Sequence, residues 1–265
     1  MKRYQSLIRA GVLDSLQFRL SLLMTVVGNM IYLMLVFHIW KAIFASSGTD
    51  VVNGMTFTDT MIYLVFANAL FRFMDMWVVW NMGDDIQTGA IVKDLLRPVG
   101  YSKWQFYSGL GRVIIKFITT FLPTAIVVYI VTKGAIHIGI NVLLFILSTA
   151  MSLLINYYIN FMVGTICMYT NTIWGINIMK EVIVSLFSGA TIPLAFFPDS
   201  IRHAVLLLPF QAICNAPIEL VRHAEYGGSQ CGEILLFQLV WLIALKLLSD
   251  IFFKVSVKRI TVNGG

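Results

Sequence analysis

Charge is scarce in this chain. Only 12% of its 265 residues are Asp, Glu, Lys or Arg, against about a quarter in soluble domains, and 58% are hydrophobic. That shortage argues against a soluble enzyme. No glycine-rich loop ending in Gly-Lys-Ser or Gly-Lys-Thr occurs, so the chain does not hydrolyse ATP by itself. Its four histidines, His38, His137, His203 and His223, are scattered without a His-Glu-x-x-His run, leaving no catalytic residues or metal ligands to name. A row of buried carboxylates, the usual mark of a proton-driven carrier, is also missing. The three cysteines, Cys167, Cys214 and Cys231, lack metal-ligand spacing and read as apolar or loop thiols; a Cys214–Cys231 disulfide is the weaker reading.

What is present is apolar length. Six stretches, near residues 20–40, 57–80, 113–132, 139–168, 178–197 and 233–253, approach the roughly 20 residues that a helix needs to cross the hydrocarbon core. The first follows a polar segment of about 19 residues and lacks a small-residue cleavage site, so it is expected to be retained. The predicted fold is an all-α membrane protein of six transmembrane helices.

The 19 Lys and Arg residues fall unevenly about these stretches. Lys2, Arg3, Arg9, Arg19, Lys93, Arg97, Lys103, Arg112, Lys116, Lys180, Lys254, Lys258 and Arg259 share one side, whereas the other holds Lys41, Lys133, Arg202 and Arg222. Positive residues are retained in the cytoplasm, so both termini are predicted to lie inside, in the inner (plasma) membrane of the cell. The net charge of +6 reflects this bias and attraction to anionic membrane lipid, and gives no argument for nucleic acid.

Residues 1–19 carry apolar positions near helical spacing between charged ones, which predicts a helix lying in the inner interface; a solvated leader is the alternative. The polar loop 81–111 contains Asp84, Asp85, Ile86, Gly89, Ile91, Leu95, Leu96, Arg97 and Pro98. Acids at its start, bases at its end and Pro98 as a stop predict one short amphipathic cytoplasmic helix, either a connector or a partner-docking element. Between the fifth and sixth stretches, Pro193, Phe197, Pro198, Pro209 and Pro217 punctuate pieces too short to cross. Short helices dipping into the outer leaflet, residues 193–222, fit this pattern, with an ordinary external loop as the alternative.

Charges inside the spans cost about 2.5–3.5 kcal/mol each at the bilayer centre. Arg72 and Asp75, three residues apart, are expected on one helical face, where they partly neutralise each other. Asn156 and Asn160 form a polar patch in the fourth span. All four are candidates to line a translocation path, against the plainer readings of snorkelling and interhelical hydrogen bonding.

Taken together, the six spans, the loop with Gly89 and Leu95-Leu96-Arg97-Pro98, and the Ile192-Pro193 to Pro217 pattern resemble an ABC-2 type permease. The likeness covers essentially the whole chain and points to a branch of drug, peptide or uncharacterised exporters with a Leu-Leu-Arg-Pro loop. Ala90 stands where that pattern has an acidic residue. The resemblance implies that residues 1–19 form an elbow and 20–265 the transmembrane domain. It further implies a coupling helix over Asp84–Pro98 and an external re-entrant hairpin over 193–222. The partners it implies are two cytoplasmic ATPase subunits, which would bind the ATP and Mg, and a second permease, identical or related. No cofactor falls to this chain. The cargo would be a lipophilic or amphipathic drug, peptide or lipid-like molecule moved outward. An ATP-independent carrier or channel is the rival, though no inverted repeat supports it.

Overall fold

The structure, a computed structural model, describes residues 2–17, 19–131, 140–170, 172–222 and 228–258. It consists of helices α1 (Lys2–Gln17), α2 (Arg19–Ser47), α3 (Phe57–Phe73), α4 (Val78–Gln87), α5 (Ile91–Leu95), α6 (Tyr101–Lys116), α7 (Leu122–Val131), α8 (Ile140–Ile166), α9 (Ile173–Phe187), α10 (Asp199–Leu207), α11 (Asn215–Arg222) and α12 (Gly228–Val257), with a small hairpin of β1 (Val51–Val52) and β2 (Met55–Thr56). The segments holding Lys133, His137, His223 and Arg259 lie outside the described residues.

Five segments are long and apolar enough to cross a membrane: Leu23–Ser47, Phe57–Gln87, Tyr101–Ile130, Val142–Ile166 and Ser229–Val257. They match the first, second, third, fourth and sixth predicted stretches. The fifth differs. The helix there, α9, has 15 residues, about 22 Å of rise against a hydrocarbon core about 30 Å thick. It ends because Gly189 takes the left-handed conformation, φ 85°, which reverses the chain into a 3-10 turn at Leu194–Phe196.

Two other boundaries correct the sequence reading. The segment Asp84–Pro98 is two helices, not one: α4 runs to Gln87, Gly89 turns left-handed at φ 72°, and α5 adds one turn before Pro98. The polar loop also ends early, since α6 begins at Tyr101 and continues as helix to Val131. A π-helical turn at Phe117–Phe121 interrupts it just before Pro123. Proline cannot donate to the carbonyl four residues back and crowds it, so the helix widens there, and Thr124 Oγ1 donates to Thr120 O at 2.7 Å.

Short-range signals explain the start of α3. Asn53 and Gly54, both at positive φ, form the two-residue turn of the hairpin, pairing Val51 with Thr56 and Val52 with Met55. Thr56 then caps α3 reciprocally with Asp59: Asp59 N donates to Thr56 Oγ1 (3.1 Å) and Thr56 N to Asp59 Oδ2 (3.3 Å).

The core is centred on α8, packed by α12, α11 and α4. One edge of α8 carries Ser148, Ser152, Asn156 and Asn160, each four residues apart and all buried. That spacing makes a polar stripe along a single face of an otherwise apolar helix. Large apolar side chains such as Met30, Leu143 and Val240 point outward instead, as expected where lipid rather than water surrounds the bundle.

Helix α1 lies alongside α6, with Tyr4 and Tyr107 rings 4.3 Å apart and Asp14 3.6 Å from Arg112. Glycine permits this approach: a Cβ at Gly11 would meet Ser108 O, and one at Gly111 would meet the backbone of Gly11 and Val12. Because backbone cannot move aside as a flexible side chain does, Gly111→Ala is expected to lift α1 and cost about 1–2 kcal/mol. Thermal unfolding with the Tyr4–Tyr107 proximity read by cysteine crosslinking checks this; an unshifted melt and intact crosslinking would refute it.

Candidate functional site

Between α3 and α4 the second span unwinds at Met74–Trp77, where Trp77 takes a left-handed conformation of φ 58°. Asp75 starts the break by accepting from Trp77 N at 3.1 Å, an Asx-type turn that competes with the helix. A broken helix in lipid needs partners for its freed carbonyls, and side chains of other helices supply them. Asn156 Nδ2 donates to Met74 O (3.3 Å), Lys116 Nζ to Asp75 O (3.0 Å) and Arg112 Nη1 to Met76 O (3.4 Å).

This changes the expected pairing. Asp75 is no longer on the α3 face with Arg72; its carboxylate is bound by Lys116 at 2.9 Å. Arg72 instead donates from Nε to Asn68 Oδ1 at 3.1 Å and lies 5.5 Å from the Tyr32 ring centroid. Asn160 is linked to Asn156 (Nδ2 to Oδ1, 3.1 Å) and accepts from Lys180 Nζ at 2.8 Å. Lys180 is itself buried and held by Glu181 at 2.6 Å. Of the four predicted lining residues, Arg72 and Asp75 border a cavity of about 750 Å³, while Asn156 and Asn160 lie in the packed core behind it.

The cavity is bounded by α1, α2, α3, α6 and α9. Its cations are Arg72, Arg112 and Lys116, its acids Asp14, Asp75 and Glu181, and its aromatic surface Tyr32, Phe71 and Trp77. This is a mostly apolar chamber studded with charged groups, of the size of a ligand site and with the surface to hold an amphipathic molecule. Lys116, Lys180, Arg112 and Glu181 were not predicted as site residues. Among the described residues no group of three or more His, Cys, Asp or Glu side chains is arranged to hold a metal ion.

The loop of the Leu-Leu-Arg-Pro element forms an exposed tip. Ile86, Ile91 and Leu95 pack inward, whereas Asp84, Gly89, Arg97 and Pro98 are exposed and Leu96 is 82% exposed. Asp94, buried, binds Arg97 at 2.7 Å, and Arg97 lies 4.5 Å from the Trp104 ring centroid. Asp85 anchors the tip to α6: its Oδ2 accepts from Tyr101 Oη (2.9 Å) and Gln105 Nε2 (3.0 Å). Leu96 is thus a large apolar side chain held outward on a braced turn.

In the proline-punctuated segment, Pro193, Pro209 and Pro217 are buried, Phe197 is half-buried and Pro198 is exposed. Helix α10 keeps Ile201 and Leu207 outward, while α11 is buried against α8 and α3. The irregular backbone before α11 is satisfied by protein: Ser152 Oγ and Gln238 Nε2 both donate to Ala212 O, at 2.7 and 2.9 Å. Cys214 and Cys231 are not joined, which corrects the disulfide reading. Burial pushes the Cys214 thiol up to about 12, so it stays neutral.

No curated protein and no solved structure matches the chain significantly. A family model does, the one described as ABC-2 family transporter protein, and it spans residues 30–264, from within α2 through the cavity, the tip, the proline-punctuated segment and α12. Its match covers nearly the entire bundle, and the chain accordingly belongs to the ABC-2 family of membrane transporter proteins.

Proposed function

We propose that this chain is the membrane half of an ATP-driven exporter. The observation that carries the reading is that α6 joins the exposed tip to the chamber. At one end of α6, Tyr101 and Gln105 hold Asp85 of α4; at its other end, Lys116 holds Asp75, beside the break where α4 begins. A push on the tip thus moves a braced pair of helices against the unwound segment. Two cytoplasmic ATPase subunits, carrying ATP and Mg, grip the tips of two permeases, identical or related. Closure of the ATPases shifts the pair between inward-open and outward-open states by stabilising one of two arrangements of the break.

In this reading α9 and the chain through Pro193 complete a sixth crossing, α1 is the interfacial elbow, and the 193–222 segment is re-entrant in the outer leaflet. Both termini and the tip lie in the cytoplasm, and the cell's plasma membrane holds the complex. The cargo is amphipathic, a reading that the chamber's mixture of charged and aromatic side chains supports.

Leu96→Glu tests the docking assignment better than changing Leu95, which packs inward and would confound docking with folding. Leu96 touches little of its own chain, so the variant should fold normally and lose association with its ATPase by tenfold or more, since a charge replaces an apolar side chain that the ATPase would cover. Co-purification and ATP-dependent vesicle transport are the readouts. Undiminished association by a normally folded Leu96→Glu protein would remove the assignment.

A further inference from the structure

Among the described residues, the ion pairs around the chamber leave one of its cations over. Lys116 is matched by Asp75 at 2.9 Å and Arg112 by Asp14 at 3.6 Å, while Glu181 is held by Lys180 at 2.6 Å. Arg72 has no carboxylate within ion-pair distance among the described residues. Its guanidinium is nevertheless fixed, by Asn68 through Nε and by the Tyr32 ring. A half-buried guanidinium oriented through one nitrogen retains its terminal nitrogens as a fork for an oxyanion, which it binds through charge-assisted, paired hydrogen bonds.

The wall beside it is thin. Helix α2 contributes Thr25 and Tyr32 to the chamber, and among its described side chains only Trp40 is buried. A single helix therefore separates Arg72 from an outer surface of Met30, Ile31 and Met34. The volume of about 750 Å³ exceeds what a free inorganic anion would fill.

We propose that Arg72 is the anion-binding residue of this chamber and that its ligand is a membrane-borne amphiphile with an oxyanion head, phosphate or carboxylate. The head sits on the guanidinium, and the apolar chain lies against Tyr32, Phe71 and Trp77. This rests on reading the chamber as the cargo path, but the test below needs no ATPase, so it fails or succeeds independently of docking at Leu96.

Radiolabelled dodecyl phosphate is titrated onto the purified full-length protein in nanodiscs. Saturable binding is expected, weakened about tenfold or more in Arg72→Gln and less in Arg72→Lys, with melting temperatures near that of the parent. Neither dodecyltrimethylammonium nor inorganic phosphate should compete at equal concentration. Absence of saturable binding, or a well-folded Arg72→Gln within twofold of the parent, overturns the assignment. Equal competition by dodecyltrimethylammonium overturns selection for an anion, and equal competition by inorganic phosphate overturns the membrane-borne ligand. Both competitions use the unaltered protein and stand even if Arg72→Gln folds poorly.

Discussion

Replacing Lys116 with methionine is expected to destabilise the protein by about 3 kcal/mol and to abolish transport. Two independent scales converge on that figure. Stranding one member of a buried ion pair costs about 3–5 kcal/mol, and an unpaired carboxylate at membrane depth costs about 2.5–3.5 kcal/mol. The pair is only partly buried, with the Lys116 side chain 22% and the Asp75 side chain 38% exposed, so the cost sits at the bottom of the first range. Methionine fills similar space but gives nothing to Asp75 Oδ2 or to the Asp75 carbonyl, both now served by the one ammonium group. The double variant Lys116→Met/Asp75→Asn removes the orphaned charge and should regain most of the stability. It should not regain transport, because the break still lacks its link to α6. Thermal unfolding in nanodiscs together with vesicle transport reads both effects. A single variant as stable as the parent, or a double variant no better than the single, would show that this pair does not hold the break.

The ion pair also marks the limit of what the sequence discloses. Five crossings were legible because each needs only apolar length, and the positions of the tip and the proline-rich segment followed from Gly89, Pro98 and the spacing of Pro193 to Pro217. The break at Met74–Trp77 was not, since it contains neither glycine nor proline; its only local sign is an aspartate within an apolar run. Lys116 and Lys180 read naturally as cytoplasmic cations, because counting positive charges treats each as a topological marker. Their partners, Asp75 in the break and Asn160 on α8, lie 41 and 20 residues away in the chain. Rules for neighbours three or four apart cannot reach them. Those same rules proposed Arg72 beside Asp75, which holds only while the helix continues.

The polar stripe on α8 was half legible for a related reason. Asn156 and Asn160 stand out among apolar neighbours, whereas Ser148 and Ser152 are common in membrane helices and acquire meaning only from the irregular backbone they meet. Ser152 and Asn156, adjacent on the stripe, serve different breaks: Ser152 the carbonyl of Ala212 before α11, Asn156 that of Met74 after α3. One helix face thereby supports both non-helical segments. Rigid shifts of α8 would alter the two breaks together, which gives a physical link between the chamber side and the α10–α11 side.

Gln238→Leu is expected to loosen the second of these segments, costing about 2–3 kcal/mol. Gln238 is fully buried on α12. Its Nε2 donates to Ala212 O (2.9 Å), Ser152 Oγ (3.0 Å) and, more weakly, Ser148 O (3.3 Å), and its Oε1 accepts from Ser148 Oγ (2.8 Å). Interhelical hydrogen bonds in membranes average only about 0.6 kcal/mol each, but a partner left unsatisfied costs about 1–3 kcal/mol. Leucine matches the volume and orphans the Ser148 hydroxyl. It also leaves Ala212 O to Ser152 alone, so the second penalty dominates over the first. Cys214, two residues beyond Ala212 and buried beneath α3 with its Sγ donating to Ala67 O at 3.7 Å, provides a local reporter. In a protein whose other two cysteines are alanine, maleimide labelling of Cys214 should be slow with Gln238 present. In the Gln238→Leu variant it should be at least tenfold faster, because the neutral, enclosed thiol reacts only when the segment opens. Unchanged labelling alongside an unchanged melt would mean that Ser152 alone secures the segment. Faster labelling with an unchanged melt would place Gln238 in local opening rather than in global stability, a result that contradicts the predicted energetic cost but keeps its structural role.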